Sequence, residues 1–259
     1  MEPYFSEENL QELYAGYNKI DYQKNDLLLK FSQYPFKNEK AKEFALHGLM
    51  RRLGVLNTAI HNIYECCSPE QCAPLEISEA NKIVINLQSF MINVYGCLDN
   101  IAWIWVHENE INIPNREVGL TSSNKTMRSY FSDDFQSRLI EFDPWCREYL
   151  KNYRDALAHR IPLYVPPVSF TDNDQKTYDE LEKKKWAALK EGKLDVCDRI
   201  AEAQKKIGRF YPWMQHSYSE KSKPVVFHAQ ILADWSTIIE LSSGFYFELS
   251  NSTQTTHPE

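Results

Sequence analysis

Apolar residues recur at three- and four-residue spacing along most of this chain, the period of a helix that buries one face. Ser6 stands as an N-cap ahead of two glutamates, and Leu10, Leu13, Tyr14, Tyr17 and Ile20 follow at that spacing, which predicts a helix over 6–32 closed by Tyr34-Pro35. Phe44, Leu46, Leu49, Met50, Leu53, Leu56, Ile60 and Ile63 predict a second, over about 38–64. After Ser68-Pro69 and Ala73-Pro74, Ser78 can cap a third, over about 79–107, apolar nearly all round and therefore central. Short helical pieces are expected around 125–131 and 135–141. Asp143-Pro144 then reads as the N-cap and first position of a further helix. Its apolar stripe is Cys146, Tyr149, Leu150, Tyr153, Ala156 and Leu157, and it must stop before Pro162.

Beyond that stop the pattern changes. Three prolines among β-branched residues over 162–170 predict extended chain. Two charged helices, about 174–191 and 194–207, carry only a weak stripe and meet at Gly192, which reads as an antiparallel hairpin docked on or inserted into the bundle. Residues 210–224 are aromatic and turn-rich, an ordered loop or short hairpin. A last helix, about 227–249, returns Ile231, Leu232, Trp235, Ile238, Ile239 and Leu241 to the core, and 251–259 has nothing to bury and should fray. The expectation is one all-α domain, with a core bundle over about 38–161 and 225–250 and an accessory helical hairpin over about 171–208.

Composition supports helices and removes some functions. With 8 glycines in 259 residues there is little material for a turn-rich β architecture. A net charge of −7 argues against a basic coat for nucleic acid, so any such contact must be local. The most basic stretch, 181–206, holds eight Lys/Arg against five Asp/Glu, a composition more usual for a solvated face than for an RNA contact. The apolar run 83–106 approaches membrane-spanning length, but Asn86, Gln88, Asn93, Asp99 and Asn100 make it too costly for lipid, so no membrane partner is expected. The first residues lack the basic and apolar regions of a secretory signal, which predicts a cytoplasmic protein with reduced thiols. His61, Cys66, Cys67 and Cys72 are not at the spacing of a recognised zinc site; ordinary cysteines are the simpler reading, with no metal and no cofactor. His216 and His228 flank the aromatic loop and could line a pocket or serve structure alone.

The chemistry concentrates at Arg154, Asp155 and His159, in the last turns before Pro162. Arg154 and His159 are five apart and so splay by about 140° on a straight helix, whereas Asp155 and His159, four apart, share a face on which the carboxylate can orient the imidazole. A site that uses both Arg154 and His159 needs a distorted last turn or a second copy of the helix, which a two-fold dimer supplies. A structural reading also exists, since cations at a helix C-terminus interact favourably with its dipole. The sequence Arg-Asp-Ala-Leu-Ala-His (154–159) at a helix end resembles the R-x4-6-H motif of the HEPN superfamily, with Asp155 in the position commonly polar there. The resemblance implies an up-and-down bundle that dimerises, and many members are metal-independent ribonucleases. It implies His159 as the acid/base group in 2′-hydroxyl attack, Arg154 as the stabiliser of the phosphorane, Asp155 as the orienting group, RNA or nucleotide as ligand, and a cognate partner protein as a further option. Some members are non-catalytic binding modules or scaffolds, and that alternative stays open. Asp99 and Asn100, a polar pair in the central helix, must find partners; one option is that Asp99 pairs with Arg154 and supports the site, as Tyr153 would, and the other is a core polar bridge.

Overall fold

A computed structural model describes residues 3–254 except 218 and 221. The architecture is all-α. Helices α1 (Glu7–Tyr17) and α2 (Ile20–Gln33) lead to α3 (Glu39–Glu43), which runs through a π-helical turn (Phe44–Leu49) into α4 (Met50–Cys66). The long α5 (Ile77–Glu108) follows, then a short α6 (Lys125–Arg128), and α7 (Asp133–Trp145) continues through a second π turn (Cys146–Leu150) into α8 (Lys151–His159). The hairpin is α9 (Asp172–Lys190) and α10 (Leu194–Gln204). Two short strands, β1 (Trp213–Met214) and β2 (Val225–Val226), pair antiparallel before α11 (Phe227–Gln254).

The apolar stripes explain the assembly. In α5 the buried positions Ile83, Leu87, Phe90, Met91, Val94, Cys97, Leu98, Ile101, Ala102, Ile104 and Trp105 go round most of the helix, and α3, α4, α8 and α11 all pack on it. One contiguous core extends from Leu13 to Leu249 and takes no residue from α9 or α10, so the hairpin is an appendage. Its turn passes through Gly192 at φ 72, a left-handed conformation open to glycine at little cost. No helix among the described residues is long and apolar enough to cross a membrane.

Several boundaries differ from the sequence expectation. The first helix breaks in two at Asn18–Lys19. The central helix starts at Ile77, because Glu76 and Glu79 form a capping box in place of the serine at 78. Pro144 does not open the motif helix. It lies inside a helix that begins at Asp133 with Ser132 as its cap, and a π turn follows directly at Cys146. Asp143, freed from capping, pairs instead with Arg128 at 2.8 Å. The 162–170 segment is extended and bridges to Gln215 and Arg209, and the 210–224 region does contain the short hairpin. Residues 251–254 are helical rather than frayed, and 255–259 lie outside the described residues.

Candidate functional site

The motif helix is held by its buried side. Cys146, Leu150, Tyr153 and Ala156 face the core, and the Tyr153 hydroxyl lies 3.3 Å from the Met214 carbonyl and 3.2 Å from that of Lys223, tying α8 to the small sheet. Tyr153 is therefore fully occupied as a structural anchor. The helix end is closed by Arg160, whose guanidinium donates to the Asn152 side-chain oxygen (3.0 Å) and forms an ion pair with Glu220 (3.1 Å).

Arg154 lies over the Tyr95 ring of α5, its guanidinium carbon 4.0 Å from the ring centre, and Nη1 is 3.0 Å from Asp155 Oδ1. Its Nε is buried and has no hydrogen-bond acceptor among the described residues. The other oxygen of Asp155 accepts from Lys151 at 2.6 Å. Asp155 thus serves two cations, and the imidazole of His159 is exposed and makes no hydrogen bond or ion pair among the described residues. One chain brings Arg154 and Asp155 together; the regular helix splays His159 away from Arg154, and Asp155, although on the same face as His159, is engaged by Lys151 and Arg154 and makes no hydrogen bond to the imidazole.

On α5, one turn beyond Tyr95, Asp99 is open to water, yet enough protein surrounds it that desolvation pushes its carboxyl above the ordinary range; the charges of Arg154 and then Arg52 work in the opposite direction. It makes no direct ion pair with Arg154, so the two are linked through space and not by contact. Asn100 is buried and its oxygen accepts from Arg52 Nε at 2.9 Å, while Arg52 Nη1 donates to Asn93 at 3.0 Å. Arg52 rests where a side chain at Gly96 would be: a Cβ there would stand 2.4 Å from the guanidinium carbon. The partners required by the buried Asn100 are thus found on α4, and Arg52 was not singled out from the sequence. Its signal was a glycine in the middle of the most apolar helix, flanked at −3 and +4 by asparagines.

Two further polar clusters lie away from this face. Tyr17 bonds His61 Nδ1 (2.7 Å), and His61 Nε2 meets Asp21 (3.2 Å), which also accepts from Asn57 (2.9 Å). Burial, then Glu65 and Asp21, raise the Tyr17 phenol, so this relay holds a poor nucleophile and serves to clamp α1 and α2 onto α4. Asp234 of α11 is fully buried and accepts from Trp145 Nε1 (2.7 Å), Gln230 (2.7 Å) and the Tyr149 hydroxyl (3.0 Å) with no cation among these partners; burial pushes its carboxyl up to about 6. His228 is buried and held neutral, lowered to about 4 by burial, and donates from Nε2 to the Cys67 carbonyl at 2.7 Å. His216 is buried, edge-on to Tyr153. Cys67 is buried and its thiol raised to about 12, Cys66 is exposed, and no group of three or more His, Cys, Asp or Glu able to hold a metal occurs among the described residues.

No family model, no curated protein and no solved structure matches this chain.

Proposed function

We propose that this chain is a HEPN-like protein that cleaves RNA without a metal ion, at a cleft formed where two copies of α8 face each other. The observation that carries the reading is the contrast within the motif. Arg154 is pinned on Tyr95 with a buried donor unspent, while His159 stands free on another side of the same helix. A forked cation fixed in place suits a phosphate, and an accessible imidazole suits proton transfer, but one copy does not aim both at one atom. Across a two-fold axis the guanidinium of one copy and the imidazole of the other meet the same phosphodiester.

In that cleft His159 takes the proton from the ribose 2′-hydroxyl as its oxygen attacks the adjacent phosphorus. Arg154 stabilises the added negative charge on the phosphorane, the bond to the 5′-oxygen breaks, and that oxygen leaves as a hydroxyl with the proton that the His159 imidazolium returns. The products are a 2′,3′-cyclic phosphate and a 5′-hydroxyl. Asp155 bridges Arg154 and Lys151 and so holds the guanidinium over Tyr95.

The test is purified protein incubated with RNA in EDTA, with size measured by light scattering. The expected result is a dimer that yields cyclic-phosphate ends, and loss of cutting in His159→Ala and Arg154→Gln. A dimer that binds nucleotide and leaves RNA intact supports instead a non-catalytic binding module, the reading favoured by the absence of an orienting partner for His159 among the described residues. A monomer disposes of the composite cleft.

A further inference from the structure

We infer that Arg52 is a second phosphate ligand beside Arg154, so that the face formed by α4, α5 and α8 seats neighbouring phosphates of a single-stranded RNA. This rests on the nucleic-acid reading of the same face and extends it to a residue outside the motif.

The geometry of α5 sets the arrangement. Taking Tyr95 as the origin and about 100° per residue, Asp99 lies near 40°, Gly96 near 100°, and Asn100 and Asn93 near 140° and 160°. Arg154 covers the Tyr95 position and Arg52 covers Gly96, so the two guanidiniums lie on either side of the Asp99 stripe. Each is held against α5. Arg154 lies on an aromatic ring, and Arg52 lies on bare helix backbone that exists only because residue 96 has no side chain. Pinning an arginine removes most of the rotamer entropy that a ligand would otherwise have to freeze.

The donors are also incompletely spent. Arg52 commits Nε to Asn100 and Nη1 to Asn93, and its Nη2 has no acceptor among the described residues; the same holds for Arg154 Nε, which is buried. The donor left for an incoming oxygen anion is Arg52 Nη2, because Arg154 Nε is closed to solvent and Arg154 must offer its terminal nitrogens. Arg52 is held by the neutral side chains of Asn93 and Asn100, so neither hydrogen-bond partner cancels its charge. Each arginine also comes shortly after a π-helical turn, Phe44–Leu49 before Arg52 and Cys146–Leu150 before Arg154, and such turns reset the facing of the residues that follow. A phosphate is the ligand class that matches two forked cations flanking one stripe of α5, and Arg is the residue that grips it with paired donors. Asp99 offsets part of that charge in the free protein.

The experiment measures binding of a short 2′-O-methyl oligoribonucleotide, which cannot be cut, to the full chain over a salt series. Losing one phosphate contact lowers the slope of log K against log salt by about 0.7 for a single strand. Arg52→Gln is expected to lower the slope by that amount and weaken binding several-fold, Arg154→Gln to do the same, and the double variant to lose about twice as much. Arg52→Lys, which keeps the charge and loses the fork, should retain the slope. Thermal melting of each variant runs in parallel. An Arg52→Gln protein that melts earlier yet keeps the wild-type slope shows a purely structural arginine and overturns the inference, as does a wild-type chain that does not bind the oligonucleotide. Cleavage is read separately on natural RNA. An uncut substrate with the expected slopes removes the nuclease and leaves the phosphate seat, whereas cutting that depends on His159 with an unchanged Arg52→Gln slope does the reverse.

Discussion

Replacing Asp234 by asparagine should stabilise this protein at neutral pH and have little effect in acid. Asp234 is buried, and its three partners, Trp145, Gln230 and Tyr149, are neutral. Desolvation outweighs their hydrogen bonds and moves the carboxyl from 3.8 up to about 6. A group whose folded-state value is raised binds its proton more tightly in the native state. Its contribution to stability is therefore fully present below about pH 4 and declines as pH rises through about 6. A shift of about two units corresponds to about 3 kcal/mol lost by neutral pH. Asparagine carries no charge to desolvate. Its oxygen can keep the Trp145 and Gln230 bonds, and its amide can donate to the Tyr149 oxygen while that hydroxyl turns to Met91 Sδ, 3.6 Å away. Asp234→Asn should therefore match wild type near pH 4, gain steadily between 4 and 6, and hold an advantage of up to about 3 kcal/mol above that, or roughly 5–10 °C in Tm for a chain of this size. Urea titrations of both proteins at several pH values measure it, since the other carboxylates titrate in each and cancel in the difference. A variant less stable than wild type by the same amount at pH 5 and pH 8 would refute the reasoning.

The helical glycines provide a pair of opposite expectations. Gly54→Ala, where a Cβ meets nothing within 4 Å, should stabilise by about 0.5–1 kcal/mol through helix propensity, whereas Gly96→Ala, whose Cβ would stand 2.4 Å from Arg52, should destabilise by about 1–3 kcal/mol despite the same propensity gain; thermal melts of the two decide it. Arg128 is 9% exposed and joins Asp143 to the Leu120 carbonyl, so Arg128→Met should cost about 3–5 kcal/mol by leaving that carboxylate nearly buried without its cation, and denaturant midpoints check it.

The helical class was legible because burial imposes a period. Leu53, Leu56, Ile60 and Ile63 are all buried on α4, as their spacing required, and the apolar circumference of α5 correctly marked it as central. The hairpin, too, was readable from its weak stripe and from Gly192. What misled were local signals that several structures satisfy equally. Asp143-Pro144 has the chemistry of a helix start, but Arg128 claims the aspartate and a helix already capped at Ser132 carries the proline in its interior, so the helix runs through. Ser78 could cap, but Glu76 with Glu79 satisfies two backbone groups where the serine would satisfy one.

Of the candidate site, the sequence on its own determined the spacing within α8, and with it the divergence of Arg154 from His159, because a regular helix converts residue number into angle. Tertiary packing decided everything that involves a second helix: that Arg154 rests on Tyr95, that Asp155 is taken by Lys151 and Arg154, and that Arg52 occupies the gap at Gly96. Those contacts join residues far apart in the chain, and the free energy that selects them comes from burying the apolar faces behind them, to which the polar partners then adjust.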